Sequence, residues 1–223
     1  MHQLPQDIET TFLAHANPEI AAGQQAYMKD QFAFYGIKTP QRRTLQKPFL
    51  AKAALPAKEE VPAIVRELWQ KPQRECQYCA QELLAKYAKQ WEPDNIDLFV
   101  YMITHKSWWD TVDFIATKLV GTYFMQYPAQ REPYLDTWLA SGNIWLQRTA
   151  LLFQLHYKQE LNQQLLTHTI RELLGSDEFF INKAIGWILR EYSKTNPDWV
   201  RHFVEQTPLS PLSRREALRV LEK

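Results

Sequence analysis

Glycine is scarce in this chain, with six residues in 223 against thirteen prolines. Rossmann folds, phosphate-binding loops and turn-rich β-sandwiches need backbone positions at positive φ, which glycine fills most easily, so a chain this poor in glycine argues against all three. Cysteine is scarcer still. Cys76 and Cys79 form a C-x-x-C, but no second such pair, no ligand-spaced histidines and no βαβ pattern accompany it. The two read as small apolar residues one helical turn apart, rather than as a redox pair or half a zinc site, and they fit a reduced, cytoplasmic setting. No run approaches the ~20 apolar residues of a membrane span, and residues 1–10 lack the basic-then-apolar form of a signal peptide. Neither sign of charge dominates: 26 basic and 25 acidic residues leave +1. That excludes a uniformly basic DNA-coating protein and leaves room for a basic face backed by an acidic one. His2, His15, His105, His168 and His202 have no metal-binding spacing. There is also no H-E-x-x-H, G-x-S-x-G or glycine-rich phosphate loop, so neither metal nor cofactor is expected.

What the chain has in quantity is helical pattern and aromatic side chains. Apolar residues recur at spacings of three and four nearly throughout, with no useful alternating run. Prolines fall near helix starts, where a missing N–H does no harm. Thr39-Pro40 reads as an N-cap and first helical residue, Ser107-Trp108-Trp109-Asp110 and Ser213-Arg214-Arg215-Glu216 read as capping boxes, and Asn196-Pro197 closes one helix and opens another. About a dozen helices of ~10–17 residues with short links account for the length.

A longer period lies over the helices. Ala80, Ala116, Ala150, Ala184 and Ala217 recur at intervals of 36, 34, 34 and 33, each followed by large apolar residues. Helix pairs of that length, repeated about five times, are the pattern of an α-solenoid, with the small alanine admitting close approach between neighbouring repeats. The tryptophan-leucine-glycine-tyrosine pattern of tetratricopeptide repeats is missing, so the pairs are closer to HEAT-type repeats. The expected architecture is a single all-α domain over 1–223. In such a stack the second helices commonly line a concave side. Arg74, Lys106, Arg148, Lys183, Arg190, Arg214, Arg215 and Arg219 fall on second helices or the turns before them, and Glu59, Glu60, Glu67, Asp94, Asp97, Glu132, Asp136 and Glu172 on first helices. Glu75, Glu82 and Glu191 break the separation. A basic concave groove suited to a phosphate backbone follows, although alternating charge on solvated helix faces explains the same residues.

One small constellation carries chemistry. Trp109 and Asp113 lie four apart and share a helix face near a helix start, whose positive end favours an ionised carboxylate. Arg148 and Trp187 fall on the corresponding helices of the next two repeats. A bare carboxylate between indole rings suits stabilisation of a developing cation and orientation of water, as in cleavage of a glycosidic bond through an oxocarbenium-like sugar. A purine already cationic through alkylation departs without a general acid, so one aspartate suffices. By spacing alone, core packing explains the two indoles equally well, and a structural pair with Arg148 explains Asp113.

At these residues the chain resembles a known family. Tyr27-Met28-Lys29, residues 36–43 (GIKTPQRR), Arg66-Glu67-Leu68-Trp69, residues 106–113 (KSWWDTVD), 143–148 (NIWLQR), 183–192 (KAIGWILREY) and 211–217 (PLSRREA) are similar to the AlkD family of bacterial DNA alkylpurine glycosylases, HEAT-like repeat proteins, in order along essentially the whole chain. The resemblance implies excision of cationic N3- and N7-alkylated purines from duplex DNA without flipping the base into a pocket. Trp109, Asp113 and Trp187 match the catalytic positions, Arg148 the supporting basic one, and Tyr27 an aromatic beside the cleft. Lys38, Thr39, Arg43, Lys106, His156, Lys158, Lys183, Arg190, Ser213 and Arg214 are the further residues expected to meet DNA. Lys38 and His156 depart from the family, the first standing where a neutral amide is also accepted and the second in His156-Tyr157-Lys158, where a more basic pair is expected. A monofunctional enzyme is expected, because only Lys183 stands near the constellation as a Schiff-base candidate, and the glycine-rich hairpin of helix-hairpin-helix glycosylases is missing. A monomer that binds duplex DNA and no membrane completes the expectation, with a non-enzymatic HEAT-repeat DNA-binding or scaffold protein as the alternative.

Overall fold

A computed structural model of the chain describes residues 3–222, so His2 lies outside the described residues. The described chain is all-α. Its only β-type pairing among those residues is an isolated bridge between Ala33 and Gln73, and no helix is long and apolar enough to cross a membrane. It divides into two compact units, Met1–Trp91 and Glu92–Lys223.

The first unit holds α1 (Gln3–Leu13), α2 (Pro18–Tyr27), α3 (Thr39–Gln46), α4 (Val61–Gln70) and α5 (Arg74–Ala85). Helix α4 has an apolar face of Val61, Ile64, Val65, Leu68 and Trp69, all buried, and it pairs with α5. Cys76 and Cys79 are free and buried on α5; burial pushes the Cys79 thiol up to about 12 and raises Cys76 as well, which leaves both as packing groups. The sharp entry into α3 depends on Gly36. Its φ is +88°, and a Cβ there would lie 2.0 Å from the Asn17 carbonyl oxygen. The Glu75 carboxylate, itself buried, accepts the backbone N–H groups of Tyr35, Gly36 and Ile37.

The second unit holds α6 (Asn95–Thr104), α7 (Trp109–Phe114), α8 (Gly121–Gln126), α9 (Arg131–Ala140), α10 (Ile144–Leu152), α11 (Gln163–Glu172), α12 (Phe179–Tyr192), α13 (Pro197–Gln206) and α14 (Pro211–Leu218). Between α7 and α8 the helix continues through a π segment, Ile115–Val120, in which Gly121 N–H donates to the carbonyl of Ala116 five residues back. The second helices pack in series: α7 and the π segment on α10, α10 on α12, α12 on α14. The sequence period has its structural cause here. Ala116, Ala150, Ala184 and Ala217 are all buried in this row, as Ala80 is on α5.

The start of α13 at Asn196-Pro197 is as expected, while the starts at Thr39, Ser107 and Ser213 differ from expectation. Asn17, Asn143, Asn162 and Asn196 cap α2, α10, α11 and α13 through their side-chain oxygens, the role their short polar side chains suit. Thr39 is the first residue of α3 rather than its cap; Lys38 precedes it with no side-chain cap. The Ser107 capping box does not form. Ser107 donates back to the Ile103 carbonyl at 2.6 Å, and extended Trp108 takes the cap position. The second box shifts likewise: Ser210 caps α14, while Glu216 turns to Lys183 and Arg190.

The α12–α14 contact is close because residue 186 has no side chain. A Cβ at Gly186 would stand 2.5 Å from Glu216 Cβ and 2.9 Å from the Ser213 carbonyl oxygen. Gly186→Ala is therefore expected to destabilise the fold by roughly 1–3 kcal/mol. Denaturant unfolding would read this as a lower midpoint at unchanged slope, and an unchanged midpoint would mean that the two helices separate freely.

Candidate active site

Asp113 lies one turn into α7 and Arg148 one turn into α10, the helix packed against it. Arg148 Nε donates to Asp113 Oδ1 at 2.7 Å and Nη2 to Oδ2 at 2.9 Å. The remaining amine of the fork, Nη1, donates to the backbone carbonyl of Phe180 in the first turn of α12. One guanidinium thus ties three successive second helices together. The arginine side chain is only 4% exposed and the aspartate 17%. A planar fork holding both carboxylate oxygens fixes the acid's orientation as well as its charge.

The carboxylate is therefore not bare. Burial raises the Asp113 pKa, the hydrogen bonds and charge of Arg148 pull it back, and the net result lies above the usual carboxylate value. The start of α7 was expected to hold it ionised, but the arginine does that work. Two of the roughly four acceptor positions on the carboxylate are taken by Arg148, and its residual exposure leaves it able to meet a substrate.

Trp109 stands one turn before Asp113 on α7 and is part-buried. Trp187 is part-buried on α12, seven residues after Phe180 and so on the same helix face. Neither indole is sealed in the core. The sequence reading missed the ring cluster behind them. Trp108, Trp145 and Phe180 meet with centroids 5.0–5.7 Å apart, and the Arg148 guanidinium carbon lies 6.0 Å from the Phe180 ring centroid. Trp145 precedes Arg148 by three residues, a spacing that could have flagged it as a neighbour of the site; Trp108, adjacent to Trp109, carried no such spacing. Phe180 had no such signal either, because it reaches the site from another helix, through its ring and its backbone carbonyl.

The other residues expected at DNA separate into groups. In the first unit Tyr27, Lys38 and Thr39 line one cleft of about 730 Å³ together with Asn17, Gln24 and Tyr78, and Tyr27 is 68% exposed. Arg43 is exposed, with Nε 3.1 Å from Glu82 Oε1. Burial works against the Glu82 carboxylate, but Arg42 and Arg43 hold it below the usual range. In the second unit Lys106 is part-buried at φ +50° in the turn before Trp108, and Lys158 is exposed at φ +53°. Non-glycine residues in this region are strained and concentrate at functional sites. His156 is exposed. Lys183 and Arg190 both pair with Glu216, whose carboxyl is held below its usual range by the Lys183 hydrogen bond first and the Arg190 charge after it. With its Nζ 2.8 Å from that carboxylate, Lys183 is an ion-pair partner rather than an amine nucleophile. Arg214 is exposed and donates to the Val204 carbonyl.

Besides Arg148, which is buried in its pair with Asp113 and so is lost to the basic groove, two expectations fail on burial. Ser213 is fully buried and donates to the Asn182 carbonyl at 2.8 Å, joining α14 to α12, so it has no surface to offer a phosphate. Arg74, counted among the basic groove residues, is also buried, 3.7 Å from the Phe32 ring centroid. A large cation recruited into packing contributes nothing to an outer basic face.

Comparison with known proteins fits this arrangement. The family model described as DNA alkylation repair enzyme matches residues 8–221. This chain belongs to the DNA alkylation repair enzyme family. A solved structure described as a predicted DNA alkylation repair enzyme from Enterococcus faecalis is 38% identical, covering 93% of this chain and 97% of that one with a TM-score of 0.87. No curated protein matches the chain. For a member of a DNA alkylation repair family, DNA is the implied partner, and the Asp113–Arg148 pair is the chemically distinctive group of the second unit. Among the described residues no cluster of histidine, cysteine, aspartate and glutamate is suited to hold a metal.

Proposed function

We propose that this member of the family is a monofunctional DNA glycosylase that hydrolyses the N-glycosidic bond of cationic N3- and N7-alkylated purines in duplex DNA. The observation that carries the reading is Asp113, an oriented carboxylate with residual exposure, gripped from behind by a buried arginine and preceded by one turn by an indole that is outside the core.

The chemistry follows from that arrangement. The bond between C1′ and N9 breaks with its electron pair moving to the purine, which cancels the formal positive charge that alkylation placed there. The sugar is left as an oxocarbenium-like cation. A fixed anion beside that cation stabilises the transition state more than the ground state, because positive charge moves from the base onto the sugar as the bond breaks. Indole faces at Trp109 and Trp187 supply further attraction for the cation. Water adds to C1′ and releases one proton, which Asp113 accepts or passes to solvent. No general acid is needed, because the base leaves neutral. The base itself need not enter a pocket, because the charge that the carboxylate stabilises develops on the sugar.

A base-release assay tests the reading directly. Duplex DNA treated with a methylating agent is expected to yield free 7-methylguanine and 3-methyladenine with this protein, leaving abasic sites. A scaffold or DNA-architecture protein would bind the same duplex in a salt-sensitive way and release no base.

A further inference from the structure

Glu75 and Glu82 break the separation of charge along the sequence, two acids on a second helix, and both of them act on α3. They stand seven residues apart on α5 and so share one face of it. Glu82, with a side chain 15% exposed, meets Arg42, Arg43 and Gln46 along α3. Glu75 is fully buried and holds the entry to that helix. Its Oε2 accepts the N–H of Tyr35 at 3.1 Å, and its Oε1 accepts those of Gly36 and Ile37 at 3.0 and 3.1 Å. Three consecutive N–H groups turned on one point form a concavity that selects an anion, and here the chain supplies the anion itself. The segment is anchored on its other side as well. The Tyr35 carbonyl accepts the Asn17 N–H at 2.8 Å, and the Ala33 carbonyl accepts the Arg74 N–H at 2.9 Å. Lys38 follows Ile37 directly. Lys38 and Thr39 are exposed on the wall of the first unit's cleft, at a helix start that has no side-chain cap. An ammonium group beside such a start favours a phosphate oxygen.

We propose that Glu75 is a positioning residue for DNA binding: by holding the three amides before Lys38, it sets where that lysine and the first turn of α3 present themselves to a backbone phosphate. The proposal rests on the family's DNA partner and not on base excision. Glu75 is buried among its own chain and acts only through the backbone it grips. An amide does not replace it. Glutamine offers one acceptor oxygen instead of two, and its amino group would face the Tyr35 N–H, donor against donor. Aspartate keeps the charge but is one methylene shorter and falls short of the three amides together. In either variant residues 35–37 lose their common anchor, and Lys38 samples orientations that binding must then restrict. The sign of the effect separates positioning from bulk electrostatics. Removing an acid from a protein that binds a polyanion raises affinity through the field alone, whereas losing the aim of Lys38 lowers it.

Titration of an undamaged, fluorescently labelled duplex at several salt concentrations reads the difference. Glu75→Gln and Glu75→Asp, each at a temperature where circular dichroism shows it folded, are expected to bind roughly 3–10-fold more weakly than the native protein and to lose about one unit of the slope of log affinity against log salt. Lys38→Gln should show a loss of the same size, and adding Glu75→Gln to it should cost nothing more. Native or tighter binding by folded Glu75→Gln, or additive losses in the double variant, would overturn the proposal. So would a Lys38→Gln variant that binds as the native protein does, a result that needs no substitution at Glu75. Because the duplex carries no lesion, such a failure would leave base release untouched, and absent base release would leave this result standing.

Discussion

Asp113→Asn is expected to slow release of 7-methylguanine from methylated duplex by roughly 10²-fold or more, while affinity for the same duplex changes little. The asparagine is nearly isosteric and keeps one oxygen for Arg148, so the geometry of the site is largely retained and the fixed negative charge is lost. Single-turnover measurement with enzyme in excess separates the chemical step from binding. The substitution also leaves the Arg148 guanidinium buried without its counter-charge, so thermal stability should fall, and the comparison belongs at a temperature where circular dichroism shows the variant folded. Release at the native rate in a folded variant would remove Asp113 from the chemistry and leave the pair as a structural tie between α7 and α10.

Arg148→Met should have the second large effect, on stability and on pH dependence together. Breaking a buried pair by removing one partner costs about 3–5 kcal/mol, because the remaining charge is left uncompensated. Burial already raises the Asp113 pKa above the ordinary 3.8 in spite of the arginine; without the arginine nothing opposes that rise. A native-state pKa above the unfolded one means that the folded protein binds the proton more tightly, so this carboxyl's contribution to stability declines as pH rises through the window between the two values. The variant's deficit should therefore be larger at pH 8 than at pH 5. Its base-release profile should lose activity on the acid side at a higher pH than the native profile does, since catalysis needs the anion. In the double variant Arg148→Met with Asp113→Asn, much of the stability should return without the activity. A deficit independent of pH, or a double variant no more stable than Arg148→Met, would mean that the pair matters through packing alone.

The contrast between these two residues marks how far the sequence could be read. The buried row of Ala116, Ala150, Ala184 and Ala217 was legible because packing at a fixed period leaves its mark on residue size. Asp113, Trp109, Arg148 and Trp187 were legible as positions, because helical spacing places them on successive second helices. Their environment was not. The arginine counted toward a basic surface is buried in the pair, and Ser213 is buried as a tie to α12. Both are settled by long-range packing, which local pattern does not encode. Ser107 and Trp108 show the same limit at one helix start. Ser107 satisfies a local capping rule and Trp108 does not, yet Trp108 takes the cap position, with its ring against Trp145 and Phe180.

The π segment after Asp113 has a consequence for register. An ordinary α-helix between the same two ends would hold one residue fewer. Each residue in a helix turns the chain by about 100°, so deleting one residue from Ile115–Val120 would force a choice. Either Asp113 keeps its grip on Arg148 and Gly121 swings away from Tyr157 and Phe153, or Gly121 stays seated and the carboxylate turns off the arginine. The extra residue lets a single helix satisfy both attachments, and so keeps the acid of the candidate active site in step with the loop after α10 that rests on Gly121.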